Sequence, residues 1–220
     1  MCNHSIKLFF LFSIISICTF AQLKNNPVLE EDFMDLGFGL FIHWSIDSQL
    51  GSVISHSMVG ASEEYVQKYI NELPETFYPE KFDADEWARL FKLTGAEYVV
   101  FSTKHHNGFC MWDTKTTDFN IMNTPYGNDI TDILFKALRK QGLKVGVYFS
   151  PEDFSFLHQQ GITISRKGKM SQITENVELL EYDKAQIKEL ITNYGPIDLV
   201  FFDAFESGPL VQYVHSIAPN

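Results

Sequence analysis

The chain is poor in cysteine and in positive charge. It has 3 cysteines in 220 residues, and two of them, Cys2 and Cys18, lie in an N-terminal stretch read below as a removable leader. Cys110 is then alone, so no intrachain disulfide can form, and an exported fold of this kind must rest on its core. Beside Phe109 and the histidine pair, Cys110 reads as a packed thiol. Lys and Arg total 17 against 28 Asp and Glu, for a formal charge of -11. There is no basic run. That balance argues against nucleic acid and anionic membrane surfaces as partners. Neither Gly-x-Gly-x-x-Gly nor a phosphate loop is present, which argues against a nucleotide cofactor. A Gly-x-Ser-x-Gly elbow is also missing, and with it the mark of one class of serine hydrolase. No His-x-His or His-x-x-x-His spacing supports a zinc site, although three histidines and an aspartate leave that reading open at this point. Repeats and low-complexity tracts are absent.

What is present is a core-forming composition: 45% hydrophobic and 15% aromatic, with 20 phenylalanines. One domain is expected. Residues 1–21 read as a signal peptide. Lys7 precedes Leu8-Phe9-Phe10-Leu11-Phe12, Ile14, Ile15 and Ile17, and Thr19-Phe20-Ala21 ends in a small residue before Gln22. The apolar run is shorter than the roughly 20 residues that span a bilayer. The mature chain is therefore expected to be exported, to a periplasmic, extracellular or lysosomal space, with no membrane attachment once the leader is removed.

Four runs read as buried strands: Phe38 to Ile42, Tyr98 to Ser102, Lys144 to Ser150, and Ile197 to Phe202. They are near-continuous apolar stretches, as expected of parallel strands covered on both faces. Amphipathic helices separate them. Ser62 to Leu73 carries Val66, Tyr69 and Ile70. Asp83 to Thr94 carries Trp87, Leu90 and Phe91, with Asp83 and Glu86 resembling a capping box. Asp129 to Gln141 carries Ile130, Ile133, Leu134, Ala137 and Leu138. A fourth runs from about Asn176 to Tyr194. The alternation predicts an α/β fold with a parallel sheet. Linkers entering the strands are short (Gly95-Ala96-Glu97, Gly142-Leu143), and those leaving them are long (His105 to Asn128, Pro151 to about Glu175). That asymmetry predicts a (β/α) TIM-type barrel. Four strands are counted where such a barrel has about eight, so the remaining half is expected in a longer chain or an assembly.

Each strand delivers a polar or aromatic group at its carboxyl end: His43 and Trp44, then His105 and His106, then Tyr148, then Asp203. Aromatic faces pack on sugar rings, and imidazole and phenol bond ring hydroxyls. A carboxylate can attack an anomeric carbon while a second carboxyl group protonates the departing oxygen.

Phe38-Gly39-Leu40-Phe41-Ile42-His43-Trp44, Lys104-His105-His106-Asn107-Gly108-Phe109, Tyr148-Phe149-Ser150 and Phe201-Phe202-Asp203 fall in one order and spacing, with Phe82 to Ala88 between them. Over roughly Asp35 to Glu206 the chain resembles the α-L-fucosidases of glycoside hydrolase family 29. The resemblance implies a (β/α) barrel catalytic domain, of which residues 22–220 would be the N-terminal portion. It implies retaining, metal-free and cofactor-free removal of terminal α-linked L-fucose from fucosylated glycans. Asp203 would be the catalytic nucleophile. His43, His105, His106 and Tyr148 would bind fucose, with Trp44 beside them. Three places depart from the family: Ser45 where Gly is common, Asn107 where an acid is common, and Ser55-His56 near the place of a sugar-binding Glu-Trp pair, with Glu64-Tyr65 as a less well aligned alternative. The family's acid/base lies beyond the end of this chain, and Glu206 has no motif to support it in that role. The other reading is a catalytically incomplete fragment or sugar-binding protein.

Overall fold

The computed structural model describes residues 25–166, 168–204 and 206–219. The expected leader at 1–21 lies outside the described residues. Four strands form one parallel sheet in the order β1-β2-β3-β4: β1 Gly39–Ile42, β2 Tyr98–Lys104, β3 Lys144–Phe149 and β4 Leu199–Phe202. Every neighbouring pair is parallel, and order in space follows order in sequence. Seven α-helices accompany them among the described residues. They are α1 Pro27–Asp35, α2 Glu63–Asn71, α3 Ala84–Leu93, α4 Ile130–Lys140, α5 Phe154–Gln159, α6 Val177–Asn193 and α7 Gly208–Ile217.

Local chemistry sets the helix starts. Ser62, Asp83, Asp129, Asp153 and Asn176 each accept a hydrogen bond from a main-chain N–H in the first turn of the helix that follows. Asp83 takes that of Glu86 at 2.9 Å, which is the first half of the expected box. Three of the seven lie outside the four helices read from the sequence: α1, α5 and α7. α1 follows Asn26 as cap and Pro27 as first residue but buries none of its side chains. α5 is short and sits inside a stretch expected to be loop.

The two faces of the sheet differ. Val99, Phe101, Val145, Val147 and Phe149 point into the main core, with Leu40, Ile42, Val200 and Phe202 packed against it. Gly39, Phe41, Val100, Ser102, Gly146, Tyr148, Leu199 and Phe201 occupy the alternate positions, in register across the strands. A Cβ on Gly146 would come within 2.8 Å of Val100 Cγ2, so glycine lets β3 lie close there. On this second face Phe41 and Phe201 are 42% and 43% exposed. The expectation of cover on both faces therefore holds for one face only, because no described element packs over those two rings. Leu90 and Ile133, read as core positions, are exposed at the margins of their helical stripes. No described helix is long and apolar enough to cross a membrane.

Candidate active site

The second face ends in a polar cluster at the strands' carboxyl ends. On a regular strand the adjacent His105 and His106 would point to opposite sides. The register shifts between Ser102 and Lys104, the strand ends at Lys104, and both rings turn the same way, with centroids 4.7 Å apart. A bulge has freed the pair from strand alternation. The turn after them is pinned by Asn107 Oδ1, which accepts the Phe109 N–H at 2.8 Å.

Tyr148 on β3 stands at the centre. Its hydroxyl donates to Asp203 Oδ2 at 2.6 Å and lies 2.9 Å from His105 Nε2. His43, just past β1, sits edge-on to the Tyr148 ring at 4.8 Å and 5.2 Å from His105. Asp203, just past β4, is anchored through its N–H to Phe149 O at 3.1 Å, and its side chain is 41% exposed. His106 Nε2 lies 3.4 Å from Asp203 Oδ2 and 4.0 Å from Glu152 Oε2. Phe41 and Phe201 supply ring walls at 5.7 and 5.8 Å from Tyr148.

Electrostatics keeps the histidines neutral. Burial, then the neighbouring His106 and His43, lowers the His105 pKa to about 3. Burial, then Arg166 and His56, lowers that of His106 to about 3. His43 is lowered by burial and partly restored by Asp203. Burial and the bond to Asp203 push the Tyr148 phenol up, so it stays a donor. His106 Nδ1 meets Ser150 Oγ, and Ser150 in turn donates to Glu152 O at 2.9 Å. The His106 hydrogen therefore sits on Nδ1. Its bare Nε2, buried and without a hydrogen-bond partner among the described residues, is an acceptor.

The structure thus brings together five of the six residues singled out from sequence: His43, His105, His106, Tyr148 and Asp203. Trp44 stands apart. Its ring packs on Phe82 and Trp87 at 5.3 and 5.2 Å, and its Nε1 donates to Ser48 at 3.3 Å. Cys110 is a buried thiol, its pKa pushed up by that burial, with Sγ accepting from Gln186 at 3.4 Å. No group of three or more His, Cys, Asp or Glu among the described residues is arranged to hold a metal.

Sequence reading missed three supports. Lys104, fully buried, lies 2.8 Å from Asp183 and 3.2 Å from Asp153, which ties the His-His turn to α5 and α6. Asp183 falls four residues from both Leu179 and Ile187, on the apolar face of α6, and that misplaced acid was the available signal. Glu152 pairs with Arg166 at 2.6 Å, and Arg166 reaches Ser55 O at 3.4 Å, which links the loops after β1 and β3.

Comparison with known proteins decides the family. The alpha-L-fucosidase family model matches residues 18–216. The chain belongs to the alpha-L-fucosidase family. Alpha-L-fucosidase 1 of Arabidopsis thaliana is 29% identical over 212 residues, 91% of this chain and 38% of the relative. A solved GH29 alpha-L-fucosidase from Bacteroides thetaiotaomicron is 32% identical at a TM-score of 0.65, covering 82% of this chain and 41% of that one. Unliganded alpha-L-fucosidase AlfC from Lactobacillus casei is 27% identical at a TM-score of 0.70, covering 87% and 68%. The chain therefore spans well under half the length of the first two, and its four strand-helix units are part of the family's (β/α) barrel.

One departure from the family pattern has a structural counterpart. Where an acid is common, Asn107 donates to a buried carboxylate supplied by Asp47, at 2.5 Å, and Tyr69 donates to the same carboxylate. At the second departure, Ser55 bonds its neighbour His56 at 2.9 Å. Glu206, exposed, accepts from Thr174 at 2.7 Å.

Proposed function

We propose that this chain is the N-terminal part of the catalytic domain of an exported, retaining α-L-fucosidase. Residues 1–21 would be the leader and residues 22–220 the barrel portion. Its substrates would be glycans ending in α-linked L-fucose. One observation carries the reading: a half-exposed carboxylate, Asp203, stands at a strand tip with its Oδ2 held by Tyr148 and three neutral imidazoles around it. Such a group is placed to attack an anomeric carbon. His43 and His106 offer polar ring atoms to sugar hydroxyls, and His106 Nε2 can accept one. Phe41 and Phe201 present apolar faces to the deoxy-sugar. A related structure from Bacteroides thetaiotaomicron, described as a trapped covalent intermediate with 2-fluoro-fucosyl fluoride, supports the covalent route.

The test is turnover of an aryl α-L-fucoside by the complete gene product. Release of the aryl alcohol, abolished by Asp203→Asn, is the expected result. Full activity in that variant would remove Asp203 from the role. The partial barrel favours one further reading, a sugar-binding piece without catalysis. Calorimetry of the 220-residue chain with L-fucose distinguishes the two: binding without turnover is its signature, and turnover by this chain alone excludes it.

A further inference from the structure

Two carboxylates converge on His106 Nε2. Asp203 Oδ2, past β4, lies 3.4 Å away, and Glu152 Oε2, past β3, lies 4.0 Å away. Carboxylates at that range favour a protonated ring. Arg166, farther along the loop after β3, stands against them. Its Nε lies 2.6 Å from the same Glu152 oxygen, and both side chains are largely buried. The Nε–H does not point along that contact, so the two are held by charge rather than by a hydrogen bond. Nη1 reaches the Ser55 carbonyl at 3.4 Å, which fixes the guanidinium in the wall of the site. Lys104 on β2, His43 just past β1 and His56 in the loop after β1 also oppose a proton on His106, and after burial Arg166 is the strongest of these influences. The remaining neighbours carry no charge: the neutral His105 ring, Ser150 Oγ at Nδ1, and the Phe154 ring of α5.

Resting on the fucosidase reading, we infer that Arg166 and Glu152 are positioning residues: as a pair they keep His106 neutral, and a neutral His106 does not close on Asp203. The guanidinium offsets the Glu152 charge beside the ring. His106 Nε2 then stays an acceptor for a sugar hydroxyl. A proton there would turn it into a donor 3.4 Å from Asp203 Oδ2 and close a salt bridge on the carboxylate that must attack. A carboxylate held in that way is the weaker nucleophile. Neither side chain has to touch the sugar, because Arg166 acts through Glu152 and Glu152 acts through His106. With the guanidinium removed, more of the Glu152 field falls on the imidazole and the balance tips toward the charged ring.

The role has a titration signature. In the complete gene product, isotope-labelled histidine lets nuclear magnetic resonance follow the proton on each ring, with His106 assigned from the signals lost in His106→Gln. The wild-type His106 ring, with a pKa of about 3, should stay neutral above about pH 4. Arg166→Gln should raise its midpoint by about 1–3 pH units. In that variant kcat/KM on 4-nitrophenyl α-L-fucoside should fall about tenfold for each pH unit below the new midpoint. Adding Glu152→Gln should bring the midpoint back toward that of the wild type and recover the lost rate at low pH. A pair that only braces the loops behaves otherwise: the midpoint stays, activity falls by one factor at every pH, and the double variant is no better than the single. That pattern overturns the inference. Should Arg166→Gln not fold, Arg166→Lys decides. It keeps the charge and loses the planar fork, so the inference expects the midpoint and the acid limb to stay in place, and a loss equal at every pH overturns it. Absence of turnover in the wild type sinks the fucosidase reading itself. The ring titration needs no turnover, so an unmoved midpoint in Arg166→Gln sinks this inference alone.

Discussion

Lys104 Nζ lies 2.8 Å from Asp183 Oδ1 and both side chains are wholly buried, one residue before the histidine pair that lines the site. The same ammonium lies 3.2 Å from Asp153 and 4.2 Å above the Phe149 ring. Asp153 also caps α5 through the Phe156 N–H at 2.8 Å. One cation thus joins the end of β2 to two helices, and its removal strands two carboxylates in the core.

Above about pH 7, where Asp183 is ionised, Lys104→Met should therefore cost about 3–5 kcal/mol, the usual penalty for breaking a buried ion pair from one side. Urea unfolding followed by fluorescence measures it. Loss of under about 1 kcal/mol would mean that water reaches those carboxylates.

The paired histidines should make the fold acid-sensitive. Their folded pKa values, about 3, lie below the ordinary value of 6.5. The unfolded chain then binds more protons between those limits. Stability is intact above about pH 6.5 and falls as the pH drops toward 3, with a slope of up to about 1.4 kcal/mol per pH unit for each ring. Replacing His105 by Gln should flatten the curve in that window. An unchanged slope would show that the ring is protonated in the folded state.

Asp183 should act in the opposite direction. Burial raises its carboxyl to about 7, with Lys104 pulling it back. The folded state holds this proton more tightly than the unfolded one, so stability falls as the pH rises from about 4 to 7. The two slopes overlap, so the readout is the difference between wild type and Asp183→Asn across that range. The variant should lose less stability on going from pH 5 to pH 7. Parallel curves would contradict the assignment.

The carboxylate at Asp47 should be exchangeable with its neighbour. Asn107 Nδ2 donates to Asp47 Oδ2 at 2.5 Å in a buried setting. Asn107→Asp sets two acids face to face and should cost at least about 2 kcal/mol. Adding Asp47→Asn should return most of it. A double variant no more stable than Asn107→Asp alone would show that the loops do not share one network.

Much of this was legible because chemistry and periodicity coincide. The four strands announce themselves as unbroken apolar runs, and the site residues fall where each run turns polar. Tyr148 and Asp203 needed no further information. The orientation of His105 and His106 was not legible, because strand alternation separates neighbours and the bulge that reunites them leaves no mark in the local sequence. Trp44 follows His43 directly, yet its ring belongs to an aromatic cluster with Phe82 and Trp87. Adjacency in the chain gave it the same standing as its neighbour, whereas tertiary packing separated the two. Glu152 and Arg166 lie in a stretch with no periodicity, and only folding brings them beside His106. α5 is a single capped turn and a half, too short for a helical pattern to stand out.

The central claim is that Asp203 forms the bond to the sugar. Incubating the complete gene product with 2-fluoro-fucosyl fluoride, digesting it and sequencing the labelled peptide by mass spectrometry tests this directly. The expected result is a single fluorofucosyl adduct on Asp203. An adduct on any other residue, or turnover of fucosides with no label at Asp203, contradicts it.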